Sequence, residues 1–131
     1  MGWLGAVDDG PAQNRFRTSG TPVQMSTPGA LNNPHATRID ADGFLYVTDT
    51  ANNRLVKVRA DGTSVAWLGK PDGGTSEEVW HTDGYAEKGT GPLELHNPYG
   101  LRLDNGVIYI ADKQNFRIQI VRSSALGVTV S

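Results

Sequence analysis

Along Ala36–Leu68 short runs of β-branched and aromatic residues alternate with clusters of Asp, Asn and Gly. Phe44–Thr48 is such a run, and Leu55-Val56-Lys57-Val58-Arg59 sets apolar residues against basic ones at a spacing of two. Both patterns predict strands. Ala36–Asp40 forms a further strand before the turn Asp42-Gly43, and Ser64–Leu68 follows the turn Asp61-Gly62. Asp49–Asn53 is a polar turn. Four strands joined by tight turns predict an antiparallel meander. The same order returns downstream as Gly100–Asp104, Val107–Ala111, Phe116–Val121 and Gly127–Val130.

The recurrence extends to individual residues. Trp3-Leu4-Gly5 returns 64 residues later as Trp67-Leu68-Gly69, and Asn33-Pro34 as Asn97-Pro98. Thr18, Gly20, Pro28, Leu31, Arg38 and Asp40 find Thr82, Gly84, Pro92, Leu95, Arg102 and Asp104 at that spacing. One residue is then lost in a turn. At a spacing of 63, Tyr46, Asp49, Asn52 and Arg54 match Tyr109, Asp112, Asn115 and Arg117. The chain therefore reads as two copies of one unit, about 5–68 and 69–131, each with a variable half and a patterned half. A lone four-stranded sheet needs cover on both faces, and radial stacking supplies it, so the expected fold is an all-β propeller with two four-stranded blades per chain.

The patterned halves resemble the NHL repeat. The shared signature is Asn-Pro-(His/Tyr)-x-x-x-(Ile/Leu)-Asp, a Gly turn, then (Leu/Ile)-Tyr-(Val/Ile)-x-Asp-x-x-Asn-x-Arg-(Leu/Ile), standing here as Asn33–Leu55 and Asn97–Ile118. Ala36 departs from the usual Gly, which Gly100 keeps. The resemblance implies that Asp49, Asn52 and Arg54, with Asp112, Asn115 and Arg117, are scaffold residues that tie the turn between the second and third strands. Such roles suit Asn and Asp in turns and an Arg fork on a carboxylate.

Charge and composition narrow the function. Twelve Lys and Arg against fourteen Asp and Glu give a net charge of −2, which disfavours nucleic acid as a partner. No cysteine is present, so disulfide scaffolds and thiolate zinc sites are excluded. Sixteen Gly and seven Pro exceed average usage and fit a turn-rich fold. No apolar run is long enough to span a membrane, and Met1–Ala6 lacks the pattern of a signal peptide, leaving the compartment open. Gly-x-Ser-x-Gly, His-Glu-x-x-His and phosphate-binding Gly loops are absent from the sequence. Asp40-Ala41-Asp42-Gly43 echoes a calcium loop, but Phe44 and Tyr46 stand where oxygen ligands are needed, so it reads as a hairpin turn.

Two blades cannot close a ring, which usually takes four to eight. Met1–Trp3 and Val128–Val130 both align with the outermost strand of a blade. That placement suits head-to-tail association, and the expected assembly is a homotrimer forming six blades. Ligands would meet the looped face. His35 and Tyr99 precede the innermost strands there, while Arg38 and Arg102 line the channel or face a neighbouring blade. The long inserted segments add Arg15, Phe16 and Arg17 in one copy and Trp80, His81 and Tyr85, near Glu77-Glu78, in the other. Phe16 and Trp80 align with each other and first suggest loop packing, whereas His81 and Tyr85 are not repeated. Aromatic residues beside polar ones suit a small polar ligand, a glycan or a peptide or protein. The expected function is thus a self-assembling interaction module with no cofactor and no catalytic residues. The alternative is a metal-dependent hydrolase or lyase with three His35 side chains at the axis, since propeller lyases acting on peptidyl-hydroxyglycine resemble this chain at the blade level and hold a metal with histidines.

Overall fold

A computed structural model describes residues 6–7, 22–23, 30–61, 64–77, 79–122 and 127–128. Strands β1 (Ala6–Val7) and β2 (Pro22–Val23) pair with each other. The first repeat is the meander β3 (Pro34–Ile39), β4 (Leu45–Asp49), β5 (Arg54–Val58) and β6 (Ser64–Pro71). All its pairings are antiparallel and run in chain order. Two short strands follow, β7 (Val79–Trp80) and β8 (Ala86–Glu87), and β8 extends this sheet beyond β6. The second repeat is β9 (Pro98–Asp104), β10 (Val107–Asp112) and β11 (Arg117–Arg122). Each predicted strand up to Val121 is present, with its ends moved by a few residues.

The outermost strand of the second repeat differs from expectation. Gly127–Val128 (β12) pairs in parallel with β7, not antiparallel with β11. Among the described residues the second sheet therefore has three strands. Short β7 offers an open backbone edge, and such edges recruit whatever strand reaches them.

The two sheets stack face to face. In β4 and β5, Tyr46 pairs with Lys57 and Thr48 with Leu55, so these four side chains share one face. The facing surface of the second repeat carries Leu101, Ile108 and Ile110, which join Tyr46, Leu55 and Leu68 in one buried cluster. Opposite faces of equivalent sheets thus meet. The other face of the first sheet buries Val56, Val58 and Trp67 with Leu31 and Leu45. Hydrogen bonds at the turn after β4 also join the two meanders. Thr48 Oγ1 donates to the Tyr99 carbonyl at 2.7 Å, Thr50 Oγ1 donates to the Pro98 carbonyl at 2.6 Å, and the Asn97 N–H donates to Asn53 Oδ1 at 2.9 Å.

Each repeat is locked by the same buried node. Asp49 Oδ2 accepts from Arg54 Nε at 2.8 Å and Asn52 Nδ2 at 2.9 Å, and Oδ1 accepts the Asn32 N–H at 2.7 Å. Asp112 repeats this with Arg117 Nε at 2.8 Å, Asn115 Nδ2 at 2.9 Å and the His96 N–H at 2.8 Å. The arginines reach on to backbone carbonyls, Arg54 to Ala30 and Arg117 to Gly91 and Glu94. Burial pushes the Asp49 carboxyl upward, while Arg54 and the donors from Asn32 and Asn52 pull it back. The scaffold role expected of all six residues is what this geometry provides.

The nodes differ in exposure: the Arg54 side chain is 1% exposed and that of Arg117 is 32% exposed. Removing one partner of a fully buried pair strands the other charge. Arg54→Ala is expected to lower unfolding free energy by about 3–5 kcal/mol, and Arg117→Ala by about 1–3 kcal/mol. Urea denaturation of the two variants checks the ordering.

Candidate functional site

His35 and Tyr99 occupy equivalent places at the start of β3 and β9, each two residues after an Asn held at a left-handed φ of 52° (Asn33 and Asn97). That backbone kink suits Asn and turns the chain into the strand. The structure brings the two rings together, stacked with centroids 3.6 Å apart and planes 29° from parallel. Lys113, in the turn after β10, sets its ammonium 4.4 Å from the Tyr99 ring centroid. Sequence reasoning missed Lys113, although a signal for it exists. It follows Asp112 in the turn that the repeat places beside the incoming strand, where the Gln114 N–H donates to the His96 carbonyl. The trio His35, Tyr99 and Lys113 is exposed and forms a flat aromatic and cationic surface.

The other sequence candidates lie apart from this trio in character. Arg38 and Arg102 are exposed on β3 and β9, each opposite a tyrosine, Tyr46 and Tyr109. Trp80 is a core residue, 3% exposed, with its ring 6.2 Å from that of Tyr46. His81 is also buried, at 7% exposure. Its backbone exchanges two 2.8 Å hydrogen bonds with Trp67, and its ring tilts against the Trp67 indole at 4.5 Å. Tyr85 is 52% exposed. Arg15, Phe16, Arg17 and Glu78 lie outside the described residues.

A cleft of about 770 Å³ opens between the repeats, lined by the Asp40–Asp42 and Asn105–Gly106 turns. These turns are at the opposite end of the strands from His35 and Tyr99. Asp40 organises one of them: its Oδ1 accepts the N–H groups of Asp42 and Phe44, and its Oδ2 accepts the Tyr46 hydroxyl. From sequence this turn has a structural role alone, because the cleft depends on how two distant turns are juxtaposed. Among the described residues no group of three or more His, Asp or Glu is disposed to hold a metal ion. No helix among them is long and apolar enough to cross a membrane.

Stacked antiparallel meanders, each pinned by a buried Asp–Asn–Arg node, define an all-β repeat chain. Residues 31–58 match the family profile of the NHL repeat. The chain is 31% identical over 108 residues to NHL repeat-containing protein 3 of Homo sapiens, an alignment covering 77% of this chain and 26% of that protein. It is 29% identical over 135 aligned positions to NHL repeat-containing protein 3 of Mus musculus, covering 90% of this chain and 34% of that protein. Residues 31–58 thus carry an NHL repeat, and the chain is similar to NHL repeat-containing proteins. It spans about a quarter to a third of the length of these relatives.

His81 yields a pH test. Burial holds its pKa below 6.5, against weaker opposing effects from the Ser76 and Gly69 backbone and the Glu77 and Asp83 charges. Its Nε2 is buried without a hydrogen-bond partner among the described residues. The unfolded chain therefore binds this proton more readily, and stability contributed by neutral His81 is lost as pH falls below about 6.5. Thermal unfolding between about pH 7.5 and about pH 5 is expected to show a falling midpoint, with a shallower fall in His81→Phe.

Proposed function

We propose that this chain is a self-assembling β-propeller interaction module, in which three copies close a ring of six blades. One observation carries the reading. In the first repeat Leu55 is fully buried beneath the second sheet, whereas its counterpart Ile118 is 59% exposed. Ile120 (63%) and Phe116 (91%) continue that bare surface along β11. A sheet face that the neighbouring repeat covers in one copy is left open in the other. A second copy would cover it with an apolar surface of its own; on the first sheet the face of Val47, Val56 and Val58 is already buried within the chain, and Ile39, 68% exposed, is the apolar residue that side leaves bare. Phe116 sharpens the point. It is held at φ 55°, where an L residue without a short polar side chain is strained, in addition to being exposed. Two unfavourable features at one residue favour a role in contact.

The looped face of that ring presents His35, Tyr99 and Lys113, with Arg38 and Arg102 on the innermost strands. The aromatic and cationic character of the face suits a small polar ligand, a glycan or a peptide.

Light scattering in solution is expected to give about 42 kDa, three times the 14.1 kDa chain. A mass of one chain retires the ring of three. Ile118→Lys is expected to shift the mass to that of one chain with the sheets intact by circular dichroism. Phe116→Asn is expected to weaken assembly while raising the stability of the single chain by about 1 kcal/mol, because Asn tolerates the left-handed backbone. For the looped face, a hit on a glycan or peptide array is expected to be lost in Tyr99→Ala.

A further inference from the structure

The cleft between the repeats is lined by a cation that has no carboxylate partner among the described residues. Lys57, half-buried on β5, places its ammonium 4.5 Å from the Phe44 ring centroid and 5.5 Å from those of Tyr46 and Trp80. The ion pairs among the described residues are Arg54–Asp49, Lys70–Glu87 and Arg117–Asp112, so Lys57 has no carboxylate partner there. The aromatic rings stabilise the charge by cation–π attraction but accept none of its three N–H groups in the manner of a carboxylate. Lys57 lines the cleft beside those rings.

The repeat shows that this is a departure. At the corresponding positions the second repeat has Ile120 for Lys57 and Val107 for Phe44. The blade pattern thus accepts an apolar residue where the first repeat has an ammonium over rings. Leu103 and Ile108 form an apolar wall of the cleft. The carboxylates are placed differently. Asp40 is committed to its own turn and to the Tyr46 hydroxyl. Asp42 and Asp104 are exposed, lie along the cleft, and share that outer position with Arg122.

We propose that this cleft binds a small apolar zwitterion, of the class of a hydrophobic amino acid or dipeptide. The ligand carboxylate meets Lys57, its side chains lie against Leu103 and Ile108, and its ammonium faces Asp42 and Asp104. A polyanion is disfavoured by those two carboxylates, and a plain cation by Lys57. A volume of about 770 Å³ is within the usual range for small-molecule sites. The site lies within one chain and does not depend on the ring proposed above.

The test is titration of the isotopically labelled full chain with leucyl-leucine, followed by amide chemical shifts. Saturable shifts at Phe44, Lys57, Asn105 and Gly106 are expected at millimolar ligand. The C-terminal amide and the N-acetyl form of the dipeptide are each expected to bind about tenfold more weakly, having lost one charged contact. Lys57→Met keeps the apolar stem and is expected to bring a similar loss. Failure to saturate at these amides below about 10 mM overturns the proposal, as does equal binding by either blocked peptide. The blocked peptides are compared on the unaltered chain, so they decide the matter even where Lys57→Met folds poorly.

Discussion

Everything in this chain is organised around a carboxylate taken out of water. Asp49, and Asp112 after it, sits where β4 or β10 ends, and its oxygens accept from the arginine, the asparagine and an incoming backbone N–H. Such a group is costly to bury alone and is stable only when its lone pairs are met. The donors come from three separate stretches: the turn, the following strand, and the segment preceding the meander. Satisfying one carboxylate therefore fixes the entry of the chain, the turn between the second and third strands, and their register. The arginine extends that reach to carbonyls more than twenty residues upstream.

This arrangement separates what the repeat must keep from what it is free to vary. The node is copied between repeats residue by residue. The faces of the sheets are not. One face of the first sheet meets the opposite face of the second, so two equivalent sheets supply different side chains to one core. The residues at the two ends of the strands are freer still. His35 and Tyr99 differ in identity yet occupy one geometry, which is why their rings meet.

Much of the fold was legible because it is local. Alternation in Leu55–Arg59, the Asp42-Gly43 turn and the spacing of Asp49, Asn52 and Arg54 each act over a few residues. The inserted segments gave less away. Trp80 and His81 were visible as aromatic loop residues, but their burial depends on Trp67 and Tyr46, which are distant in sequence. Glu94 shows the same limit. It is buried and accepts N–H groups from Gly91 and Ser76, a role no nearby motif announces. The parallel pairing of β12 with β7 replaced the expected edge because strand partners at a sheet margin are chosen by proximity, not by pattern. Lys57 looked like the polar half of an alternating strand, and only the packed rings reveal its surroundings.

The hydrogen bonds between the repeats have a directional consequence. Thr48, Thr50 and Asn53 carry the first sheet's side of that joint. The residues at their counterpart positions are Ala111, Lys113 and Phe116. Ala111 has no hydroxyl to offer a backbone carbonyl, and Phe116 has no amide oxygen to receive an N–H. Of the three counterparts only Lys113 keeps a side-chain donor. The clasp therefore gives the pair of repeats a direction: the turn after β4 grips the following repeat through hydroxyl and amide groups, and the turn after β10 carries neither at the matching places.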